Sequence, residues 1–171
     1  MALILPCNDI MPAFGQNVFL AGNATIVGDV VMGDDCSVWF QAVVRGDVNF
    51  IRIGNKVNIQ DGAILHCTYQ KCGTTVGNNV SIGHRALVHG CTLHDNVLIG
   101  MGAIVMDQAV VEENCLIAAG AVVLENTVCK TGGVYAGVPA KRVKELTPEL
   151  FEGEIKRIAN NYVLYASWFK G

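Results

Sequence analysis

The sequence is poor in charge. Only 16% of its 171 residues are Asp, Glu, Lys or Arg, against roughly 25% in an average soluble domain, whereas 51% are apolar. This composition excludes an intrinsically disordered chain, and the length fits one compact unit. The 12 Lys+Arg and 15 Asp+Glu leave a net charge of -3, so charge gives no reason to expect nucleic acid or an anionic membrane as a partner.

Long hydrophobic runs and paired cysteine motifs are also missing. No apolar run approaches the ~20 residues that cross a bilayer, and the opening MALILPCNDI lacks the basic start and hydrophobic core of a signal peptide. The seven cysteines are odd in number and contain no CxxC motif, which argues against a disulfide framework. We therefore expect free thiols, no membrane partner and a cytoplasmic location.

What the sequence does have is a period of six. Aliphatic residues open 15 hexads, and the fifth position of each hexad is small or slender. The hexads open at Leu20, Ile26, Met32, Val38, Val44, Ile53, Ile59, Val76, Ile82, Leu93, Ile99, Val105, Val111, Ile117 and Val123. A six-residue period suits neither a helix nor a plain strand, but it fits short strands separated by tight corners. The period predicts a parallel β-helix with the first position inside.

This repeat resembles the hexapeptide-repeat family. The resemblance implies a mainly β fold: a single-stranded left-handed parallel β-helix, triangular in section, followed by a C-terminal α-helix. We expect a lead-in over residues 1–13, the β-helix over 14–141 and the helix region over 142–171, where Thr147 is the expected N-cap and Pro148 the first helical residue. We also expect glycines to supply permissive backbone near the corners. These are Gly28, Gly33, Gly54, Gly77, Gly83 and Gly100.

Three steps depart from six residues. Val44 to Ile53 takes nine, Leu65 to Val76 takes eleven and Val88 to Leu93 takes five. If each step still advances the chain by one face, then Val44, Leu65 and Val88 open hexads on the same face. The eleven-residue step predicts that much of residues 67–75 projects outward as a loop.

The same count places the candidate chemical residues in two columns. Arg45, His66 and His89 are each second in their hexads, so the two histidines lie on adjacent coils, about 4.8 Å apart. Asp61 and His84 form a second column on the preceding face. Because one chain brings all three imidazoles together only through a sharply folded corner, the spacing favours a metal shared between subunits. The threefold prism suggests a homotrimer.

Three motifs carry a more specific resemblance. The segments VVRGDV, NIQDGAILH and GHRALVHGC look like the γ-class carbonic anhydrase-like family, and the similarity extends from about Phe14 through the terminal helix. By that resemblance His66, His84 and His89 are the metal ligands, with the middle histidine donated by an adjacent subunit. The implied metal is zinc, although three imidazoles also suit iron, cobalt or nickel.

The resemblance also assigns roles around the metal. Arg45 and Asp47 match the family's intersubunit ion pair, and Gln60 and Asp61 match the polar residues that orient the metal-bound solvent or the ligand. Tyr162 matches a terminal-helix residue of family members with a short loop. The implied activity is reversible hydration of carbon dioxide to bicarbonate by a metal-bound hydroxide at a trimer interface.

One feature departs from the family pattern. The segment CTYQKCGTT, residues 67–75, has no carboxylate where the best-developed family members carry proton-shuttling glutamates. Fast turnover is therefore not implied, and two alternatives stay open. The first alternative is a metal-binding trimeric scaffold that binds bicarbonate without efficient turnover. The second is a hexapeptide-repeat acyltransferase or thioesterase.

Overall fold

The computed structural model describes residues 1–169 and shows a β-helix built from short strands. In chain order the strands are β1 (Leu3–Leu5), β2 (Ala13–Phe14), β3 (Phe19–Leu20), β4 (Thr25–Met32), β5 (Ser37–Val38), β6 (Val43–Ile53), β7 (Asn58–Ile59), β8 (Ile64–His66), β9 (Thr74–Val76), β10 (Ser81–Ile82), β11 (Leu87–His89), β12 (Thr92–Leu93), β13 (Leu98–Ile99), β14 (Ile104–Val105), β15 (Val110–Val111), β16 (Leu116–Ile117), β17 (Val122–Val123), β18 (Val128–Cys129), β19 (Gly133–Ala136) and β20 (Lys141–Glu145).

The strands stack in parallel on three faces. The first face runs β1, β4, β6, β8, β11, β14, β17, and the second runs β2, β4, β6, β9, β12, β15, β18. The long strands β4 and β6 belong to both faces because each turns the corner without a break. The third face runs β3, β5, β7, β10, β13, β16, β19, and β20 closes it by pairing antiparallel with β19. β1 pairs with β4, so residues placed in the lead-in already contribute a strand to the first coil.

The register confirms the face count. Val44 lies opposite Leu65, and Leu65 lies opposite Val88, so the three residues share one face despite the irregular steps. The nine-residue step is absorbed in a bulge: after Gly28 pairs with Gly46, the next paired residue of β6 is Ile51. The predicted inward position is buried in 14 of 15 hexads, the exception being Leu20.

The corners are built differently from the expectation. Of the six glycines predicted to supply permissive backbone, only Gly28 has a positive φ, 75°. The left-handed residue of most corners is instead the one just before the small position, as at Lys56 (56°) and Asn79 (54°). The other five glycines are needed for space: a Cβ on Gly54 would lie 2.8 Å from the backbone of Gly77 on the next coil. They allow the coils to stack closely.

The loop predicted within residues 67–75 is present. Cys67 and Thr74 are buried, and β9 begins at Thr74. Only residues 68–73 project, and backbone hydrogen bonds between Thr68 and Cys72 close them. The prediction that much of residues 67–75 loops outward is therefore confirmed, and the ends stay in the coil because the Cys67 thiol and the Thr74 hydroxyl find hydrogen-bond partners there.

The C-terminal helix begins at the predicted cap, whereas residues 142–145, placed in the helix region by the prediction, belong to β20 because they pair with β19. The Thr147 side chain accepts a hydrogen bond from the Leu150 backbone N–H, and Pro148 opens the helix. The helix comprises α1 (Pro148–Leu150), a π-helical stretch (Phe151–Lys156) and α2 (Arg157–Ser167). Among the described residues, no helix is long and apolar enough to cross a membrane. The helix packs on the β-helix near Trp39, whose ring lies 5.2 Å from that of Tyr162.

Candidate metal centre

Two histidines on adjacent coils face each other. β8 and β11 pair in register, which places His66 directly opposite His89. His66 Nδ1 lies 3.0 Å from His89 Nε2, and both side chains are partly buried. Imidazole nitrogens bind zinc at about 2.0–2.1 Å, so two nitrogens at this separation can contact one ion lying between them. The predicted histidine column is present.

Each of these rings has a carboxylate at its other nitrogen. Asp47 Oδ1 lies 3.1 Å from His66 Nε2, and Asp107 Oδ1 lies 2.6 Å from His89 Nδ1. An ionised carboxylate only accepts hydrogen bonds, so these outer ring nitrogens are the donors. Neutral rings held in this way point two lone pairs at each other across 3.0 Å. A cation between the rings would stabilise this arrangement.

Both carboxylates are held in the ionised state. Burial works to raise the pKa of Asp47, but hydrogen bonds from Arg45 and His66 outweigh it and lower the pKa below its ordinary value. Burial likewise works to raise the pKa of Asp107, but hydrogen bonds from Thr68, His89 and Lys71 lower it to about 2. For His66, burial is the largest effect and lowers the pKa, which favours the neutral ring that metals bind.

Arg45 pairs with Asp47 of its own strand. The guanidinium Nη1 donates to Asp47 Oδ2, while the other carboxylate oxygen faces His66. The bulge in β6 follows Gly46 and carries Asp47 out of the regular ladder toward His66. In the single chain the pair is therefore part of the histidine site, and the intersubunit pairing expected from the family resemblance stays a prediction.

His84 lies apart from the other two histidines. It follows β10 at the next corner, and its Nδ1 lies 2.9 Å from Asp61 Oδ2, with both side chains 43% exposed. Within residues 1–169, no three His, Cys, Asp or Glu side chains converge closely enough to hold a metal. The second predicted column, Asp61 with His84, is present, and one chain offers two imidazoles in one place and the third in another.

Gln60 is buried beside the His84 corner. Its Nε2 donates to Asn58 Oδ1 at 3.0 Å, and Asn58 Nδ2 donates to Ser81 Oγ at 2.8 Å. Two neighbouring strands, β7 and β10, supply this chain of polar groups, which fixes the direction of the Gln60 amide. Asn58 and Ser81 have no counterpart in the sequence prediction, because polar residues at strand positions carry no signal of their own.

Tyr162 reaches the same region from the terminal helix. Burial raises the pKa of Tyr162 to about 12, and its ring meets Trp39 edge-on. A cavity of about 450 Å³ between the helix and the β-helix is lined by Tyr162, Gln60 and His84 among others. The structure thus brings Gln60, His84 and Tyr162 to one cavity. The other predicted site residues lie together on another part of the surface: His66, His89, Arg45 and Asp47.

Asp107 is the residue that the sequence prediction missed. It lies third in the hexad opened by Val105, one coil from the corner at Gly90, whose backbone carbonyl accepts from the Gln108 N–H. The column count that placed Asp61 beside His84 places Asp107 beside the His89 corner as well. The signal was available, but Asp107 lies outside the three motifs of the resemblance.

Known proteins resemble this chain over almost its whole length. The family described as bacterial transferase hexapeptide (six repeats) matches residues 90–125. A protein of Methanocaldococcus jannaschii named probable carbonic anhydrase is 50% identical over 150 residues, which cover 88% of this chain and 91% of that protein. A protein of Geobacillus kaustophilus named carbonic anhydrase is 42% identical over 168 residues, which cover 98% of this chain and 91% of that protein.

A solved structure agrees with the fold. The crystal structure of a hexapeptide transferase family protein from Anaplasma phagocytophilum superposes with a TM-score of 0.93 at 38% identity and covers 98% of each chain. The β-helix and the terminal helix are therefore shared features of these proteins, and the relatives' names point to two kinds of chemistry.

Proposed function

This chain belongs to the γ-class carbonic anhydrase-like family, and from that premise we propose that it is a metal-dependent carbonic anhydrase that interconverts carbon dioxide and bicarbonate. One observation carries the proposal: His66 and His89 turn facing nitrogens toward each other at 3.0 Å while carboxylates hold their outer nitrogens. Histidines that bind metals typically donate their other ring N–H to such a group. The donor set therefore fits a divalent metal.

The third ligand comes from a second copy of the chain in this proposal. His66 and His89 of one chain and the partner subunit's His84 would hold the metal, because His84 of the same chain stands on another corner with Asp61. Zinc held by three neutral imidazoles would supply Lewis acidity that activates water near neutral pH. Iron, cobalt and nickel suit the same donors.

The remaining site residues orient rather than bind the metal. The Asp61 carboxylate lies 2.9 Å from Nδ1 of His84, which leaves Nε2 of that ring for a metal. The Gln60 amide, fixed by Asn58, provides a directed polar group for the reacting oxygen atoms of carbon dioxide or bicarbonate. Tyr162 lines the cavity on the helix side.

The Arg45 side chain is expected to support assembly. In the proposed homotrimer, Arg45→Ala leaves the partly buried Asp47 without its cation, and an uncompensated carboxylate at an interface is costly. We expect the trimer to dissociate at a higher protein concentration than the wild type, measured by sedimentation across a dilution series. An unchanged dissociation midpoint would mean that the pair acts only within one chain.

Proton export is expected to limit turnover. The 68–73 loop has no carboxylate to carry the proton away from the site. Small imidazole-type buffers should therefore raise kcat at saturating carbon dioxide while leaving kcat/KM nearly unchanged, because proton transfer to buffer follows the chemical step. Stopped-flow hydration over a buffer series at constant pH and ionic strength measures both constants. Equal stimulation of both would contradict this order of steps.

A second candidate function is supported by the cavity. Its volume of about 450 Å³ exceeds what a three-atom substrate needs, and Leu98, Leu116 and Ile158 give it apolar walls next to His84. An acyl thioester hydrolysed at the same metal would occupy such a space.

The test of the two functions is stopped-flow hydration of carbon dioxide by protein of known metal content, zinc-loaded in air and iron-loaded without oxygen. It is compared with hydrolysis of a short-chain acyl thioester. A fully metallated protein without hydration in any buffer would overturn the carbonic anhydrase proposal.

A further inference from the structure

The 68–73 loop holds the carboxylate that contacts His89. Thr68 Oγ1 donates to Asp107 Oδ2 at 2.6 Å, and Lys71 Nζ donates to the same oxygen at 3.2 Å. Both donors lie more than 30 residues from Asp107 in the sequence. The other oxygen of Asp107 accepts from His89 Nδ1 at 2.6 Å. The loop is therefore joined to the histidine through one carboxylate.

Asp107 is buried more deeply than its charge alone would allow. Its side chain is 8% exposed, and an ionised carboxylate at such a position is costly unless charged and hydrogen-bonded partners surround it. Thr68, Lys71 and His89 are those partners. Two of these three partners, Thr68 and Lys71, belong to the 68–73 loop. The loop thus has a physical role that does not depend on carrying protons.

The arrangement repeats what is found at His66. There Arg45 pairs with Asp47, which accepts from the outer nitrogen of His66. At His89, Lys71 pairs with Asp107, which accepts from the outer nitrogen of His89. In both cases a cation stabilises the ionised carboxylate, so the carboxylate accepts the ring proton in a hydrogen bond and leaves it on the ring.

We propose that the 68–73 loop is a positioning element for the metal site: Thr68 and Lys71 hold Asp107, and Asp107 fixes the tautomer and orientation of His89. The lone pair on His89 Nε2 is thereby kept facing His66 Nδ1. The inference rests on the proposed function for its metal, but it concerns the side chains of this chain alone. Asp107, Thr68 and Lys71 are positioning residues, since they act through His89.

The first test measures metal affinity. Zinc affinity of the full-length protein is determined by competition with a chromophoric chelator for the wild type, Asp107→Asn, Thr68→Val and Lys71→Met. Loss of a group that orients a ligand typically weakens metal binding by about 10–100-fold, which we expect for Asp107→Asn, with several-fold effects for the other two. Glu125→Gln is the matched control, because Glu125 accepts from Lys71 at 3.4 Å, and within residues 1–169 no hydrogen bond joins it to Asp107 or His89. Its affinity should equal that of the wild type.

The second test reads the tautomer directly. Nitrogen-15 NMR of the imidazole rings in metal-free protein should show His89 protonated at Nδ1 in the wild type and a mixture of tautomers in Asp107→Asn. The His66 signals should keep the wild-type tautomer, since Asp47 is intact. A change in stability alone would not shift one ring and spare the other. Lys71→Met changes a partly exposed side chain and provides the folded variant if Asp107→Asn does not fold.

The outcomes separate the two proposals. Wild-type zinc affinity in Lys71→Met and Thr68→Val, together with an unchanged His89 tautomer, would overturn the positioning role of the loop even in an active carbonic anhydrase. A wild-type protein that binds no metal would overturn the proposed function. The tautomer comparison would still decide whether the loop and Asp107 fix the His89 ring.

Discussion

Replacing His89 with alanine is expected to remove stoichiometric metal, whereas Gln60→Ala is expected to keep the metal and lose hydration. His89 supplies one of the two nitrogens that face each other at 3.0 Å, so its loss leaves a single imidazole on that chain. Gln60 is held by Asn58 and is not one of the proposed metal ligands, so its loss removes an orienting group and leaves the donor set intact. Metal content by elemental analysis and hydration by stopped flow measure the two effects separately.

The two substitutions are expected to lower activity by different amounts. His89→Ala should reduce activity to the uncatalysed rate, while Gln60→Ala should lower kcat by roughly 10²–10³, the usual cost of one lost oriented donor at a reacting oxygen. His94→Ala is the control, since His94 is the fourth histidine and lies exposed on the surface. A His89→Ala protein with full metal content would contradict the assignment of the site.

The register of the coils was predictable because of one physical constraint. Each coil must return the chain to the same face, so irregular steps of nine, eleven and five residues still bring Val44, Leu65 and Val88 into line. Counting faces therefore placed His66 opposite His89 without knowledge of their contacts. The positions of short strands in a β-helix follow from the interior aliphatic residues, and these residues can be recognised in the sequence by their six-residue spacing.

The corners and the network of polar side chains were not predictable in the same way. Lys56 adopts a left-handed backbone conformation although lysine has no intrinsic preference for it, because packing of the neighbouring coils requires a turn there. Asp107 accepts from His89 directly, but the loop contacts that hold its other oxygen join residues 36–39 positions apart. Side-chain direction at such distances depends on the assembled coils, and a single sequence does not display it.

Mixing two inactive variants is expected to restore activity. In the proposed trimer each site takes His66 and His89 from one chain and His84 from the next, because the structure pairs the first two and places the third on a separate corner. His84→Ala and His89→Ala homotrimers each lack one ligand at every site. When the two chains are co-expressed in equal amounts and assemble at random into a cyclic trimer, about a quarter of the sites regain all three histidines. Metal content and hydration should recover to about that fraction of the wild type.

A second mixture serves as the control for this prediction. His66 and His89 lie opposite each other on adjacent coils of one chain, so mixing His66→Ala with His89→Ala never assembles both rings at one site. That mixture should stay free of stoichiometric metal at every ratio. Equal recovery of metal and hydration in both mixtures would mean that mixing subunits stabilises a site with other ligands. No recovery in either mixture would mean that His84 is not shared across the interface. Recovery in the first mixture alone requires a ligand set divided between neighbouring chains as proposed.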